Sequence, residues 1–102
     1  MTPEARAREA GFSPADVIAI LGHAGRKAPE ARLQARYKRT AWFRELTRQV
    51  LEFHESCVLC GSMSHPVVHH RHYRSLFNED PIRDVTRLCQ RCHGHYHRGA
   101  RR

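Results

Sequence analysis

Apolar residues recur at spacings of three and four through one stretch of the chain. Trp42, Phe43, Leu46, Val50 and Phe53 fall on a single helical face, with Arg44, Glu45 and Arg48 on the others. Thr40 stands just before this face and can cap it. Upstream, Ser13-Pro14-Ala15-Asp16 reads as a helix start: a hydroxyl cap, a proline in the first turn and an acidic group near the exposed amides. A short helix is predicted from there to about Gly22, and a helical pattern resumes at Pro29. After residue 61 the period changes. PVVHH at 66–70 is short, β-branched and preceded by turn formers, so it predicts a strand. NEDP at 78–81 predicts a loop. Residues 85–88 suit a second short strand or an extended approach to Cys89, and a helix is predicted from near Cys92 to about Arg98, with Gly99 to end it.

GHAGRKAP at 22–29 holds two glycines and a proline, which marks a loop or hinge. The boundary is placed there: residues 1–30 form an N-terminal helical appendage, and residues 31–102 the main domain. The fold class expected is small α+β. With 102 residues, a mean hydropathy of -0.68 and 8% aromatics, its core is small and gains much from a structural metal.

Charge separates the two parts. The basic groups of residues 1–30 (Arg6, Arg8, Arg26, Lys27) are matched by its acidic ones (Glu4, Glu9, Asp16, Glu30), so the whole excess of +8 falls in residues 31–102. That excess is a footprint for a polyanion, usually nucleic acid, whose binding weakens steeply with salt. No run of apolar residues is long enough for a membrane span, and the opening MTPEARAREAG lacks the apolar middle of a secretory signal. An intracellular protein is expected, whether cytoplasmic, nucleoid-associated or phage-encoded, with no membrane partner. Cys-x-x-Cys pairs in that compartment are more often metal or redox sites than disulfides.

There are two such pairs, Cys57/Cys60 and Cys89/Cys92, and they suit a tetrahedral structural zinc, each knuckle giving two thiolates. The 28 residues between Cys60 and Cys89 exceed the usual gap of about 15 to 20. The insert carries His69 and His70, and His93 and His97 lie just past the second knuckle. On a helix those last two share a face, whereas His95 points elsewhere. Two sites are therefore expected: four thiolates holding the fold and a separate imidazole cluster. In a competing arrangement Cys89, Cys92, His93 and His97 hold one ion, and Cys57 and Cys60 pair with His69 or His70. Adjacent Cys92 and His93 chelate one tetrahedral ion awkwardly, which favours the all-thiolate site.

The combined string resembles the HNH endonucleases of the ββα-metal superfamily, in the branch whose motif is embedded in a four-cysteine zinc site. The residues that carry the likeness are Cys57-x-x-Cys60, VVHHRHY at 67–73, DVTRLC at 84–89 and CHGHYH at 92–97, led by YKRTAWFRELTRQVLEFHESC at 37–57. It covers roughly residues 37–98. The resemblance implies that His70 is the general base, that His69 and His93 hold a catalytic divalent ion (Mg2+, Mn2+, Ni2+ or Zn2+), and that His97 serves the metal or the phosphate. Asp84 stands where the name-giving Asn usually sits, and as a carboxylate it can orient the His70 segment or reach the ion. The reaction implied is hydrolysis of DNA to a 5′-phosphate and a 3′-hydroxyl.

The chemistry is coherent on its own terms. A neutral imidazole with a pKa of about 6.5 can take a proton from water, and an open-sided divalent ion can offset charge on the phosphate. Arg71, Arg74, Arg87, Arg91 and Arg98 are candidates for the DNA path. Target specificity is expected from the appendage, a homodimer or a partner protein. The rival reading is a non-catalytic zinc-ribbon module that binds nucleic acid. One geometric condition attaches to the nuclease reading: neighbours on a regular strand face opposite sides, so His69 and His70 meet one phosphate only where the strand ends, twists or bulges.

Overall fold

The computed structural model describes residues 1–21 and 29–100, and the side chains of these as far as residue 96. The predicted hinge at 22–28 lies outside the described residues. Among the described residues the architecture is a small α+β fold with five helices and a two-stranded antiparallel sheet: α1 (Pro3–Glu9), α2 (Pro14–Leu21), α3 (Ala31–Lys38), α4 (Ala41–Phe53), β1 (Pro66–His70), β2 (Val85–Cys89) and α5 (Gln90–Ala100).

Local chemistry explains where the helices begin and end. Thr40 caps α4 by accepting the Phe43 N–H at 3.1 Å, and Ser13 accepts the Asp16 N–H at 3.2 Å ahead of α2. Helix α1 has its own cap, the Thr2 hydroxyl accepting from Ala5, with Pro3 in the first turn. It ends where Gly11, at φ +92°, lets the N–H groups of Gly11 and Phe12 close back on Arg8 and Ala7. Helix α5 departs from expectation. It starts at Gln90, directly from β2, and runs through Gly94 and Gly99 to Ala100. The Cys89 sulfur accepts the Cys92 N–H, supporting its first turn despite two poor helix formers.

Leu46 and Val50 of α4 are buried against Val68 and Val85, so α4 covers one face of the hairpin. Phe53, predicted on the same apolar face, is the last residue of α4 and is 57% exposed. The larger core sits beside the hairpin. Ala7, Phe12, Val17 and Ile20 of the N-terminal segment share it with Leu33, Tyr37, Leu76 and Phe77. Residues 1–21, read from the sequence as part of an appendage, thus pack into the same core as the loop after β1. Arg6 reinforces the joint by donating to the Phe77 carbonyl at 2.6 Å and lying 4.4 Å over the Trp42 ring. No helix among the described residues is long and apolar enough to cross a membrane.

Candidate active site and metal centre

The two knuckles meet. Cys57-Val58-Leu59-Cys60 turns at Gly61, whose φ of +78° favours glycine, and its Val58 N–H bonds the Arg87 carbonyl of β2. This brings Cys57 and Cys60 against Cys89 at the end of β2 and Cys92 in the first turn of α5. One sulfur from each lies within 4.8 Å of every other, and Cys60 Sγ is 3.7 Å from Cys89 Sγ. A tetrahedral zinc with Zn–S of about 2.3 Å spaces its sulfurs about 3.8 Å apart. The four cysteines are positioned to bind a metal ion, and the arrangement is consistent with a structural zinc. Among the described residues it is the four sulfurs that come together, as the all-thiolate expectation has it.

The thiols also show why a cation belongs there. Burial opposes ionisation of Cys57, but the N–H groups of Cys89, Cys60 and Leu59 hold its thiol at about 6. Its neighbours respond in opposite senses: the Cys92 N–H lowers Cys89, while the sulfurs of Cys89 and Cys60 push Cys92 up to about 12. Four crowded sulfurs cannot all carry charge without a counterion, and a divalent metal supplies it.

The imidazoles divide between the two faces of the hairpin. β1 pairs regularly with β2, His69 opposite Thr86 and His70 opposite Val85, with no bulge. His69 lies on the α5 side, its ring 5.4 Å from that of His93 and 4.6 Å from that of Tyr96. His70 lies on the α4 side, stacked between Phe43 and Tyr73 at 6.3 and 5.3 Å. β1 ends at His70, and there His69, His70 and His93 line one cavity of about 190 Å3 with Lys38 and Tyr73.

His70 is nearly enclosed, its side chain 7% exposed, and its Nε2 lies 2.7 Å from Oε2 of the fully buried Glu79. The Tyr37 hydroxyl donates to the same oxygen, and the Trp42 indole N–H donates to Oε1 at 2.7 Å. Burial pushes the Glu79 carboxyl up, but the donors from His70, Tyr37 and Trp42 outweigh it and hold the group below the ordinary glutamate value. The Tyr37 phenol moves the other way, raised by its own burial and then by the Glu79 charge.

Asp84 braces the loop between the strands. Its carboxylate accepts Ser75 Oγ at 2.9 Å and the Asp80 N–H at 2.8 Å and lies 3.0 Å from His72 Nε2, while its carbonyl accepts the Arg71 N–H. Burial raises the Asp84 carboxyl, but these donors more than offset it and lower the group overall. It therefore holds the segment just after His70 rather than the His70 ring.

The arginines separate by exposure. Arg71, Arg74 and Arg91 are on the surface. Arg87 is 7% exposed and donates to the His54 and Met63 carbonyls, tying the end of α4 to the first knuckle. Its guanidinium is turned inward onto these carbonyls, because β2 is buried along its whole length. The side chains of His97 and Arg98 lie outside the described residues. Among the described residues, the cysteine cluster alone brings three or more metal-ligating side chains together, and His69 and His93 form a pair. Sequence reasoning missed Glu79, Tyr37 and Trp42 as residues around His70. Glu79 sat inside what read as a loop signal, and no pattern announced that it would be buried.

No protein-family model, curated protein or solved structure matches this chain. The functional reading rests on the residues themselves.

Proposed function

We propose that this protein is a metal-dependent HNH-type endonuclease that hydrolyses DNA phosphodiester bonds. The observation that carries the reading is the convergence of His69, His70 and His93 on one cavity at the end of β1, in a strand–strand–helix unit closed by four cysteines. His70 takes a proton from the attacking water as that oxygen adds to phosphorus. The bond to the 3′ oxygen breaks, leaving a 5′-phosphate and, after protonation from solvent, a 3′-hydroxyl. His69 and His93, joined by His97 on the same helix, are the residues that would hold a divalent ion. Such an ion supplies charge compensation for the phosphate and the departing oxygen. Lys38, on the cavity wall, and the exposed Arg71, Arg74 and Arg91 offer contacts for the backbone, in keeping with the net charge of +8.

A second reading draws on one specific observation: the near-complete burial of His70 against Glu79 also suits a structural histidine in a non-catalytic zinc module. Cleavage of supercoiled plasmid separates the two. The zinc-loaded protein is incubated with Mg2+, Mn2+ or Ni2+, beside His70→Ala and an EDTA control. Metal-dependent nicking, reduced about 100-fold or more in His70→Ala, is the expected result. No cleavage with any ion, while both proteins retard DNA equally, leaves the binding module as the better account.

A further inference from the structure

A buried carboxylate against the imidazole of a proposed base has chemical consequences. The Glu79 side chain has no exposed surface, so its carboxylate cannot itself meet substrate or solvent. Its Oε1 is taken by the Trp42 N–H, a group that only donates. Its Oε2 faces the Tyr37 hydroxyl and His70 Nε2. An acceptor-only carboxylate in this enclosed setting is satisfied when Nε2 carries hydrogen, whereas a ring lone pair aimed at it leaves two acceptors in repulsive contact. The neutral ring then keeps its lone pair on Nδ1.

The backbone is built to deliver Glu79 to that place. Phe77 adopts φ +63°, a left-handed conformation that is costly for a bulky side chain. Complete burial against Phe12 and Tyr37, with rings 5.8 and 5.1 Å away, offsets that cost, and Arg6 holds the Phe77 carbonyl. The turn made there carries the chain through Asn78 and places Glu79 beneath β1. Strained backbone held by surrounding packing is found where a position has to be kept.

We infer that Glu79 is a positioning residue that locks His70 in the Nε2–H tautomer, making Nδ1 the atom that accepts the proton from water. Trp42 and Tyr37 keep the carboxylate in place by donating to its two oxygens, one each. The same carboxylate then stabilises the positive charge that the ring acquires on proton transfer, as a buried acid does behind a histidine base. The assignment of Nδ1 as the base rests on the nuclease reading above; the tautomer does not.

The test is a long-range proton–nitrogen correlation spectrum of the 15N-labelled, zinc-loaded full chain, with the His70 signals assigned by their loss in His70→Ala. A protonated, pyrrole-type Nε2 with an unprotonated, pyridine-type Nδ1 is the expected pattern. The reverse pattern overturns the inference, and this measurement needs no folded variant at position 79. In Glu79→Gln, which keeps the shape but loses one acceptor, a mixture of tautomers is expected, with kcat for nicking lowered about 10- to 100-fold and KM little changed. Unchanged kcat in that variant overturns the positioning role. A wild-type protein that cuts nothing sinks the nuclease reading alone, since the spectrum still reads the tautomer.

Discussion

At one end of the β hairpin, four sulfurs converge over a small cluster of Cys57, Leu88 and Cys89. At the other, Phe12, Ile20, Leu33, Tyr37 and Phe77 pack around a buried carboxylate. The first end has little apolar area to hold it, and its cohesion is expected from metal–thiolate bonds. The second is an apolar core that tolerates one ionisable group because each carboxylate oxygen has a donor. The comparison teaches that a chain with a small core can stabilise two regions by unrelated means, and the histidine cavity belongs to the second, lined by Ile20, Tyr37 and Leu76 with His93 reaching it from α5.

The largest effect should follow from breaking the thiolate end. Cys89→Ser, or removal of metal by a chelator, withdraws metal-linked stability on the order of 10 kcal/mol. Hydrogen exchange should show protection lost across 57–61 and 85–96 while amides of α1 to α3 keep theirs. Simultaneous loss at both ends would make them one cooperative unit and dissolve the contrast.

Phe77→Ala attacks the other end. Removing a fully buried aromatic ring should cost about 3–5 kcal/mol in urea unfolding of the zinc-loaded protein. Metal content should be unchanged, because Phe77 is not among the residues packed around the cysteines.

Acid distinguishes the ends more finely. The folded Glu79 carboxyl lies below its ordinary value of 4.5, so the unfolded state binds the proton more readily. Its contribution is fully present above that ordinary value and is lost as pH falls through the lower folded one. The stability difference between wild type and Glu79→Gln should therefore shrink as the pH drops below about 4.5. Denaturant titrations of both proteins at each pH read this difference, since the thiolates protonate in both and cancel.

The smallest effect expected is that of Thr40→Ala, which removes the cap of α4 and should cost about 1 kcal/mol by thermal unfolding. Helix α4 serves both ends, through Trp42 on Glu79 and through Leu46 and Val50 on the sheet. The loss should lower the stability of the two together, with no selective effect on metal binding.

Much of the fold was legible along the chain because its signals are local. Thr40 with its apolar face, Ser13 with Pro14, and the β-branched run before His69 each encode an element within one or two turns. The four-cysteine cluster was legible for a different reason. Paired knuckles with metal-ligand spacing leave few ways to satisfy four thiols, so spacing anticipated contact across 28 intervening residues. Helix α1 was overlooked although Thr2, Pro3 and Gly11 carry its start and stop. The inward turn of Arg87 had no sequence signal, because an arginine on a strand reads alike whether it meets phosphate or carbonyl oxygens.

The sequence by itself determined the helices and strands, the pairing of knuckles and the presence of histidines beside them, since capping groups, side-chain period and ligand spacing act over short separations. Only the tertiary structure decided that β1 stops where His69 and His70 reach one cavity, that residues 1–21 join the core under the loop, and that Glu79 is buried against His70 between Tyr37 and Trp42. These are contacts between residues up to about 70 positions apart. Their existence depends on which faces remain to be covered once the local elements have formed, and that is settled by packing the whole chain.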